Sequence, residues 1–214
     1  MTIRILCVDD HPIVRTGLVQ LAASEPDLLV IGEADDGEDA VQLTRELTPD
    51  LVIMDMRLRK LDGIAATRRI RELPHAPPVL VLSSYAGDEA IHAALGSGAS
   101  GYVLKEYAHE ELIAAIRAVA SERRYISREV AFLLARNGPR VVLTHREREV
   151  LRALGSGARN REIAAQLGMT EATARTHVQN ILEKFGSHDR GHAVAAAIAR
   201  GFIDERDLIA NAAT

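Results

Sequence analysis

Five short apolar runs alternate with five amphipathic segments of helical length over the first 120 residues. The apolar runs occupy residues 3–8, 28–32, 51–54, 79–82 and 100–104, and the amphipathic segments occupy residues 13–23, 37–47, 63–72, 89–97 and 110–120. Strands that are apolar along their whole length are buried on both faces, and helices between them make neighbouring strands parallel. The pattern predicts a doubly wound α/β domain of the (βα)5 type, with a five-stranded parallel sheet in the order 2-1-3-4-5.

The alternation ends after Ala120, where a polar, Arg-rich stretch begins and continues to residue 140. This stretch contains an apolar patch at 130–134 that is compatible with one short helix, and it closes with the breaker Asn-Gly-Pro at 137–139. The rest of the chain contains no strand-like run. The predicted organisation is a first domain at 1–120, a linker at 121–140 and an all-α domain at 141–214.

Four helical segments with clear punctuation fill the second domain. Helices begin preferentially after Thr or Asn and end at Gly, and Glu147, three residues after Thr144, completes the form of a capping box. The predicted caps and stops are Thr144, Asn160, Gly168, Thr170 and Gly186. A fourth helix is predicted at about 189–200. The second and third helices are joined by a tight turn with glycine at 167–170, which is the pattern of a helix-turn-helix.

Charge is divided unevenly between the two predicted domains. Residues 1–120 carry 11 Lys and Arg against 19 Asp and Glu, a net charge of −8. Residues 140–214 carry 11 against 9, a net charge of +2. An acidic unit followed by a mildly basic one indicates different partners, the second of which is able to tolerate a polyanion.

Composition narrows the class of protein further. Charged residues make up 26% of the chain, and no apolar run approaches the roughly 18 residues that cross a bilayer. The start of the chain has no basic-then-apolar leader, so we expect a cytoplasmic protein without a membrane partner. The single cysteine, Cys7, lies within the first apolar run, which predicts a buried strand residue and excludes disulfides and Cys-rich zinc sites.

Polar side chains follow the predicted strands at the sheet edge where α/β proteins bind ligands. Asp9 and Asp10 follow the first strand and Asp55 follows the third, and these two strands flank the point where the winding reverses. Ser83 and Lys105 end the fourth and fifth strands at the same edge. Carboxylates this close repel one another unless a cation is present. The cluster therefore predicts Mg²⁺, held by carboxylates, a backbone carbonyl and water.

These five residues, in this order at these strand ends, resemble the receiver domain of two-component response regulators. The resemblance covers residues 3–120. It implies that Asp55 is the phosphoacceptor, and that Asp9, Asp10 and Asp55 hold Mg²⁺ together with the backbone carbonyl of Arg57.

The resemblance also gives roles to the residues on the later strands. Lys105 would pair with the phosphoryl group, Ser83 would hydrogen-bond to it, and Tyr102 would be the switch residue that turns inward when Ser83 moves. A carboxylate attacks a phosphoryl group when charge on the transferred oxygens is neutralised, and Mg²⁺ and Lys105 supply that charge from two sides. The product adds about 1.5 to 2 negative charges, which Ser83 is placed to sense.

One segment departs from the receiver pattern. Receivers commonly carry Pro at the fourth position after the phosphoacceptor, where this chain has Arg59 within Arg-Leu-Arg-Lys at 57–60. We expect three cations beside the pocket to bear on the choice of phosphodonor or on the stability of the bound anion.

Residues 143–205 resemble the four-helix DNA-binding domain of the LuxR/NarL type. The resemblance rests on Leu-Thr-His-Arg-Glu-Arg-Glu-Val-Leu at 143–151, Asn-Arg-Glu-Ile-Ala at 160–164 and Thr-Ala-Arg-Thr-His-Val at 173–178. Together with the receiver, this arrangement is that of the NarL/FixJ transcription factors, which implies a regulator and not an enzyme. It also implies that the fourth helix forms a dimer contact, although packing on the four-helix core is an alternative role.

The third helix of the second domain is expected to read DNA, because its outward positions are polar while its other face is apolar. Arg175, Thr176 and Gln179 fall on one face near the start of this helix, where a recognition helix enters the major groove. Arg contacts guanine in two bonds, Gln contacts adenine, and the Thr methyl meets thymine. The residues better placed for phosphates, which position without specifying a base, are Arg161, His177 and Lys184.

The leading hypothesis is a transcription regulator that receives phosphate from a sensor histidine kinase on Asp55 and binds duplex DNA as a homodimer after phosphorylation. RNA polymerase is a candidate further partner. One alternative is a phosphorylation-independent DNA-binding protein with a structural receiver, against which the intact pocket residues argue. Another is a phosphohydrolase with an aspartyl-phosphate intermediate. Enzymes of the haloacid-dehalogenase type need a second acid two residues after the nucleophile, where Arg57 stands.

Overall fold

The computed structural model describes residues 2–84, 86–136 and 141–203. The chain divides into two compact units. The first contains the chain up to residue 86 and residues 91–134, and the second contains residues 87–90 and the chain from residue 135. The predicted breaker at 137–139 and the chain from residue 204 onward lie outside the described residues. Among the residues that are described, no helix is long and apolar enough to cross a membrane.

A parallel sheet forms the centre of the first unit, in the order β2-β1-β3-β4-β5-β6. Its strands are β1 (Ile3–Val8), β2 (Leu28–Ala34), β3 (Leu51–Met54), β4 (Val79–Ser83), β5 (Gly101–Leu104) and β6 (Tyr125–Ile126). The doubly wound fold and the order of the first five strands are confirmed. The sixth strand was missed. It lies inside the stretch predicted as linker and pairs with Gly101 and Tyr102 of β5. A strand of two residues, one of which is exposed, is too short to show an apolar run in the sequence.

Helices cover the sheet and occupy the predicted positions to within two residues. They are α1 (Pro12–Ala23), α2 (Gly37–Leu47), α3 (Gly63–Arg71), α4 (Asp88–Gly96), α5 (Ala108–Ala120) and α6 (Arg128–Arg136), with a 3-10 turn at Lys105–Tyr107 before α5. Asp36 and Asp62 cap α2 and α3 by accepting hydrogen bonds from backbone amides of the first turn. The apolar patch at 130–134 lies within α6.

Two apolar cores lie on the two faces of the sheet, and β1 shows how the chain serves both. Ile5 and Cys7 pack into one core, and Leu6 and Val8 pack into the other. Successive side chains of a strand point to opposite faces, so a strand buried on both sides must be apolar throughout. Cys7 is fully buried, as predicted, and burial raises the pKa of its thiol to about 12, far from a nucleophile's range.

The second unit contains the four predicted helices, α7 (His145–Gly155), α8 (Asn160–Leu167), α9 (Glu171–Phe185) and α10 (Arg190–Ala199). Each helix contributes buried residues to a shared apolar core, for example Val150, Ile163, Ile181 and Ala197. Gly168 and Gly186 end α8 and α9 with positive φ angles of 62° and 60°, which glycine adopts without strain.

Capping at two of the predicted positions is confirmed. Thr144 Oγ1 accepts from the Glu147 amide at 3.2 Å, and Glu147 Oε2 accepts from the Thr144 amide at 2.7 Å, which is the predicted capping box. Thr170 Oγ1 accepts from the Thr173 amide at 3.1 Å and caps α9.

The predicted cap at Asn160 is wrong. The amide of Arg159 donates to Glu162 Oε2 at 2.6 Å, so the cap lies at Arg159 and Asn160 is already helical. The side-chain oxygen of Asn160 instead accepts a hydrogen bond from the Arg190 guanidinium and ties α8 to α10. A contact between residues this far apart in sequence could not be seen from local spacing.

Candidate functional site

Two buried carboxylates lie side by side where β1 and β3 end. Asp9 and Asp55 are 1% and 4% exposed. The Asp55 amide donates to the Val8 carbonyl at 2.8 Å, and the Asp9 amide donates to the Ala34 carbonyl at 3.1 Å, so the sheet ladder continues into the site. Because neighbouring parallel strands end at the same edge, the ladder fixes both side chains in one pocket.

The ammonium of Lys105 lies between these two carboxylates. Its Nζ is 2.6 Å from Asp9 Oδ2 and 2.9 Å from Asp55 Oδ1. Burial raises the pKa of the Asp55 carboxyl and the charge on Asp9 adds to the shift, while Lys105 opposes it. Burial also disfavours the ammonium, but hydrogen bonds to Asp9 and Asp55 outweigh it and raise the pKa of Lys105. One cation shared by two carboxylates leaves the pocket with surplus negative charge.

A third carboxylate, Asp10, adds to that surplus. Its Oδ1 atom is buried and accepts no hydrogen bond, although His11 Nδ1 lies 2.7 Å away. Ligand atoms of Asp9, Asp10 and His11 lie within 4.8 Å of one another. Carboxylate oxygens that outnumber their cations, one of them buried beside the His11 ring, fit a hard divalent ion. Arg57 reaches the same pocket through its amide, which donates to Asp55 Oδ2 at 3.0 Å.

Ser83 and Tyr102 are both fully buried, at the end of β4 and within β5. The Tyr102 hydroxyl donates to the sulfur of Met56 at 3.1 Å. The pKa of Tyr102 is raised to about 12, mainly by burial. A hydrogen bond with Ser83 lowers this pKa, and the charge on Asp55 raises it. The ring therefore points inward, close to the pocket.

The cations of the 57–60 segment do not all face the pocket. Lys60 forms an ion pair with Asp36, the residue that caps α2. Arg59 joins Asp36 through a short parallel backbone bridge, and its side chain is exposed. The predicted group of three cations beside the pocket is thus divided, because one of them serves a neighbouring helix.

Sequence reasoning missed two residues that shape the pocket. Arg15 donates to the main-chain carbonyl of Asp9 at 2.6 Å and also reaches Glu33, at 3.3 Å. Gly63 packs so closely that a Cβ at this position would lie 1.9 Å from the Asp55 carbonyl oxygen. The Asp-Gly pair at 62–63 was a visible signal for Gly63, whereas nothing in the local sequence pointed to Arg15.

The exposed face of α9 carries the three residues predicted to contact bases. Arg175 is 73% exposed on its side chain, and Thr176 and Gln179 are also exposed. The Arg175 guanidinium is 3.6 Å from the Glu171 carboxylate, a loose surface pair. Thr176 donates to the Ala172 carbonyl at 3.1 Å, which engages its hydroxyl within the helix.

The three residues predicted to contact phosphates differ in their surroundings. Arg161 is exposed near the start of α8, and His177 is half-buried with an unpartnered Nδ1 atom. Lys184 Nζ lies 2.6 Å from the buried Glu147 carboxylate and ties α9 to α7. Burial would raise the pKa of Glu147, but hydrogen bonds from Lys184 and Thr144 hold it below its ordinary value. The charge of Lys184 is therefore compensated inside the domain.

Comparison with known proteins agrees with both units. Residues 5–117 match the family described as response regulator receiver domain, and residues 141–197 match the family described as bacterial regulatory proteins, luxR family. Transcriptional regulatory protein LiaR of Bacillus subtilis (strain 168) is 39% identical over 204 residues, which are 91% of this chain and 96% of LiaR. Response regulator protein VraR of Staphylococcus saprophyticus is 36% identical over 210 residues, 95% of this chain and 100% of VraR.

The chain is also similar to a solved structure, the response regulator ChrA of a heme-sensing two-component system. The match covers 94% of this chain and 99% of the ChrA chain. It has a TM-score of 0.57 and 38% sequence identity.

A doubly wound domain with an acidic pocket, followed by a four-helix helix-turn-helix domain, defines a DNA-binding transcription regulator that depends on phosphorylation and is not an enzyme. The chain belongs to the two-component response regulators that carry a LuxR-type DNA-binding domain.

Proposed function

We propose that Asp55 is the phosphoacceptor of this regulator and that a sensor histidine kinase is its donor. The observation that carries the proposal is the Lys105 ammonium held between the buried carboxylates of Asp9 and Asp55. A cation in that position neutralises charge that develops on a phosphoryl group at Asp55. Family membership supports the kinase as donor, because the receiver is the accepting half of a two-component relay.

We further propose that Asp9, Asp10 and Asp55, with the carbonyl of Arg57, hold Mg²⁺. The surplus negative charge of the pocket and the grouping of the Asp9 and Asp10 oxygens within it support this assignment. When bound, the ion would neutralise charge on the oxygens of the transferred group.

The transfer itself needs few parts from the chain. An Asp55 oxygen forms a bond to phosphorus while the bond from phosphorus to the donor nitrogen breaks, and the nitrogen keeps the electron pair. Lys105 then pairs with the phosphoryl oxygens, and the Ser83 hydroxyl donates to one of them. Tyr102, hydrogen-bonded to Ser83, would be the switch residue that responds when Ser83 moves.

Radioactive acetyl phosphate tests the assignment directly. We expect label on Asp55 only when Mg²⁺ is present, because an acidic pocket does not tolerate an additional anion without a cation. Asp55→Asn should abolish the label, and Asp35→Asn, which changes an exposed carboxylate near α2, should retain it. Label that maps to another acid, or that persists in a chelator, would contradict the proposal.

The receiver function is proposed for residues 1–120 and DNA binding for residues 141–214, joined by 121–140. We propose that phosphorylation produces a homodimer that binds duplex DNA through Arg175, Thr176 and Gln179, with Arg161 and His177 on phosphates. The exposure of these residues on and beside α9 supports this. RNA polymerase in the cytoplasm is the proposed downstream partner, since binding to promoter DNA changes transcription only through the polymerase.

A further inference from the structure

We propose that Asp36 and Lys60 are positioning residues for the phosphoacceptor pocket, and that they act by holding the loop at 55–62 in place. This inference rests on the proposed function, because that loop carries Asp55 and Arg57. The contacts of Asp36 and Lys60 are with the start of α2 and with the loop, so we expect their effect on the pocket to pass through the backbone of the loop.

Asp36 links two elements through the two oxygens of one carboxylate. Oδ1 accepts from the amides of Glu38 and Asp39 at 2.8 Å and 2.9 Å, which caps α2. Oδ2 forms the ion pair with Lys60. Asp36 is only 2% exposed. The hydrogen bond from Lys60 lowers the pKa of the Asp36 carboxyl most, and the hydrogen bond from the Asp39 amide lowers it further. A buried charge with this many donors is a fixed point against which a loop can be held.

The loop meets α2 through its backbone as well. Arg59 forms a parallel bridge with Asp36, and a Cβ on Gly37 would lie 2.2 Å from the Leu61 carbonyl oxygen, so the start of α2 lies directly on the loop. Lys60 has a positive φ of 55°, a conformation that a side chain other than glycine rarely adopts. Such a conformation persists only where its surroundings determine it. The ion pair and the bridge provide those surroundings.

The other end of the loop is held at the pocket. The Gly63 amide donates to the Met56 carbonyl at 3.0 Å, and the Arg57 amide donates to Asp55 Oδ2 at 3.0 Å. The loop is therefore fixed at α2 on one side and at Asp55 on the other. Releasing the contact with α2 would loosen the segment that presents the Arg57 amide and carbonyl to the pocket.

A second metal site is the competing explanation for the acidic group at Asp35, Asp36 and Asp39. The only buried member is Asp36, and the Lys60 ammonium already neutralises it. Asp35 and Asp39 are exposed. Exposed carboxylates beside a satisfied one give no reason for an ion, so the group is explained by the link to the loop.

Amide hydrogen exchange in the full chain tests the inference without any phosphorylation. Asp36→Asn keeps an oxygen that caps α2 but removes the charge, and Lys60→Met removes the ammonium but keeps the length of the side chain. We expect the Arg57 amide to exchange about tenfold faster or more in both variants, because local opening of the loop becomes easier. Asp39→Asn, the exposed neighbour, should match the wild type, and Lys60→Arg should restore protection.

The response to Mg²⁺ supplies the second measurement. In both variants the Mg²⁺ concentration that half-saturates labelling by acetyl phosphate should rise several-fold, while the limiting rate at saturating Mg²⁺ stays within about twofold. The double variant should be no worse than either single one, because both remove the same contact. Unchanged exchange at Arg57 together with an unchanged Mg²⁺ requirement in Lys60→Met would overturn the inference.

The two proposals fail in distinguishable ways. A wild-type chain that takes no label would overturn the role of Asp55, while the exchange of the Arg57 amide would still decide the role of the loop. If Asp36→Asn unfolds α2, which exchange along the helix reveals, Lys60→Met decides alone because it leaves the cap intact.

Discussion

A glycine, Gly63, packs directly against the backbone of the pocket. A Cβ on Gly63 would lie 1.9 Å from the carbonyl oxygen of Asp55 and 2.9 Å from the Met56 Cα atom. These are backbone atoms of the loop that follows β3, and they cannot move aside as a flexible side chain would. Gly63 thus lets α3 begin directly against Asp55, the proposed phosphoacceptor.

We expect Gly63→Ala to lower the free energy of unfolding of the receiver by about 2–3 kcal/mol, since an inserted methyl must push the backbone apart. Labelling of Asp55 should fall about tenfold or more, because small displacements of a reacting group are costly. The matched control is Gly17→Ala in α1, where nothing lies within 4 Å of the added Cβ. That change should stabilise the domain by about 0.5–1 kcal/mol. Urea unfolding of both variants measures these changes. Equal losses in the free energy of unfolding in Gly63→Ala and Gly17→Ala would contradict the argument.

Arg175 is the residue of α9 on which we expect base recognition to depend most. Its guanidinium is exposed and only loosely paired with Glu171, so it is free to form two bonds with guanine. Arg175→Ala should cost about 1–3 kcal/mol on the specific site and relax the preference at one base pair. Binding to specific and unrelated duplexes in parallel measures this. Equal losses on both, with the base preference unchanged, would mean that Arg175 contacts only the backbone.

At the scale of single residues, the sequence predicted which side chains lie in the pocket better than it predicted which side chains pair with one another. Asp9, Asp55 and Lys105 were each placed at a strand end, and parallel strands bring such residues together whatever the loops do. The partners of Lys60 and Lys184 could not be predicted in this way. Each is a long side chain whose partner lies 24 or 37 residues earlier in the sequence, and no local period records such a distance.

At the scale of helices and strands, apolar periodicity was enough for nearly every element. A strand buried on both faces and a helix with one apolar stripe leave different patterns, and these fixed α1 through α5 and β1 through β5. The errors fall where another interaction decides the boundary. Glu162 reaches back to the Arg159 amide and moves the cap of α8 from Asn160, and β6 forms because the edge of β5 accepts it.

The pair between Lys184 and Glu147 holds α9 against α7. Breaking a buried pair costs about 3–5 kcal/mol, but Lys184 is 35% exposed and solvent screens part of the interaction. We therefore expect Lys184→Ala to lower the free energy of unfolding of the second domain by about 1–2 kcal/mol. Urea unfolding followed at signals from α7 and α9 measures this. The double variant Glu147→Gln with Lys184→Met, in which Gln preserves the capping box, should recover part of the loss.

The same pair predicts a pH dependence. The pKa of Glu147 is held below its ordinary value of 4.5, so its contribution to stability is present above that pH and is lost as the pH falls. The difference in stability between the wild type and Lys184→Ala should shrink on acidification. If Lys184→Ala instead leaves stability unchanged and flattens the salt slope of DNA binding by about one unit, Lys184 is a phosphate contact as the sequence predicted.

At the scale of the whole molecule, an acidic receiver and a mildly basic DNA-binding domain share one chain. The first 120 residues carry a net charge of −8, and residues 140–214 carry +2. A single DNA-binding domain with so small a net charge gains little from long-range attraction to DNA. Tight binding then depends on joining two such domains, since linked sites bind at a high effective concentration without any new contact.

This reasoning predicts that phosphorylation raises dimer content and DNA affinity together. With beryllofluoride and Mg²⁺ as the phosphoryl mimic, sedimentation should show a shift from monomer to dimer. The affinity for a duplex with two half-sites should rise by about 100-fold, whereas the affinity for a duplex with one half-site should change little, because only the former engages both α9 helices. Asp55→Asn should show neither the shift in mass nor the gain in affinity. An unchanged mass, or an equal gain on both duplexes, would show that phosphorylation acts within one chain and not by joining two.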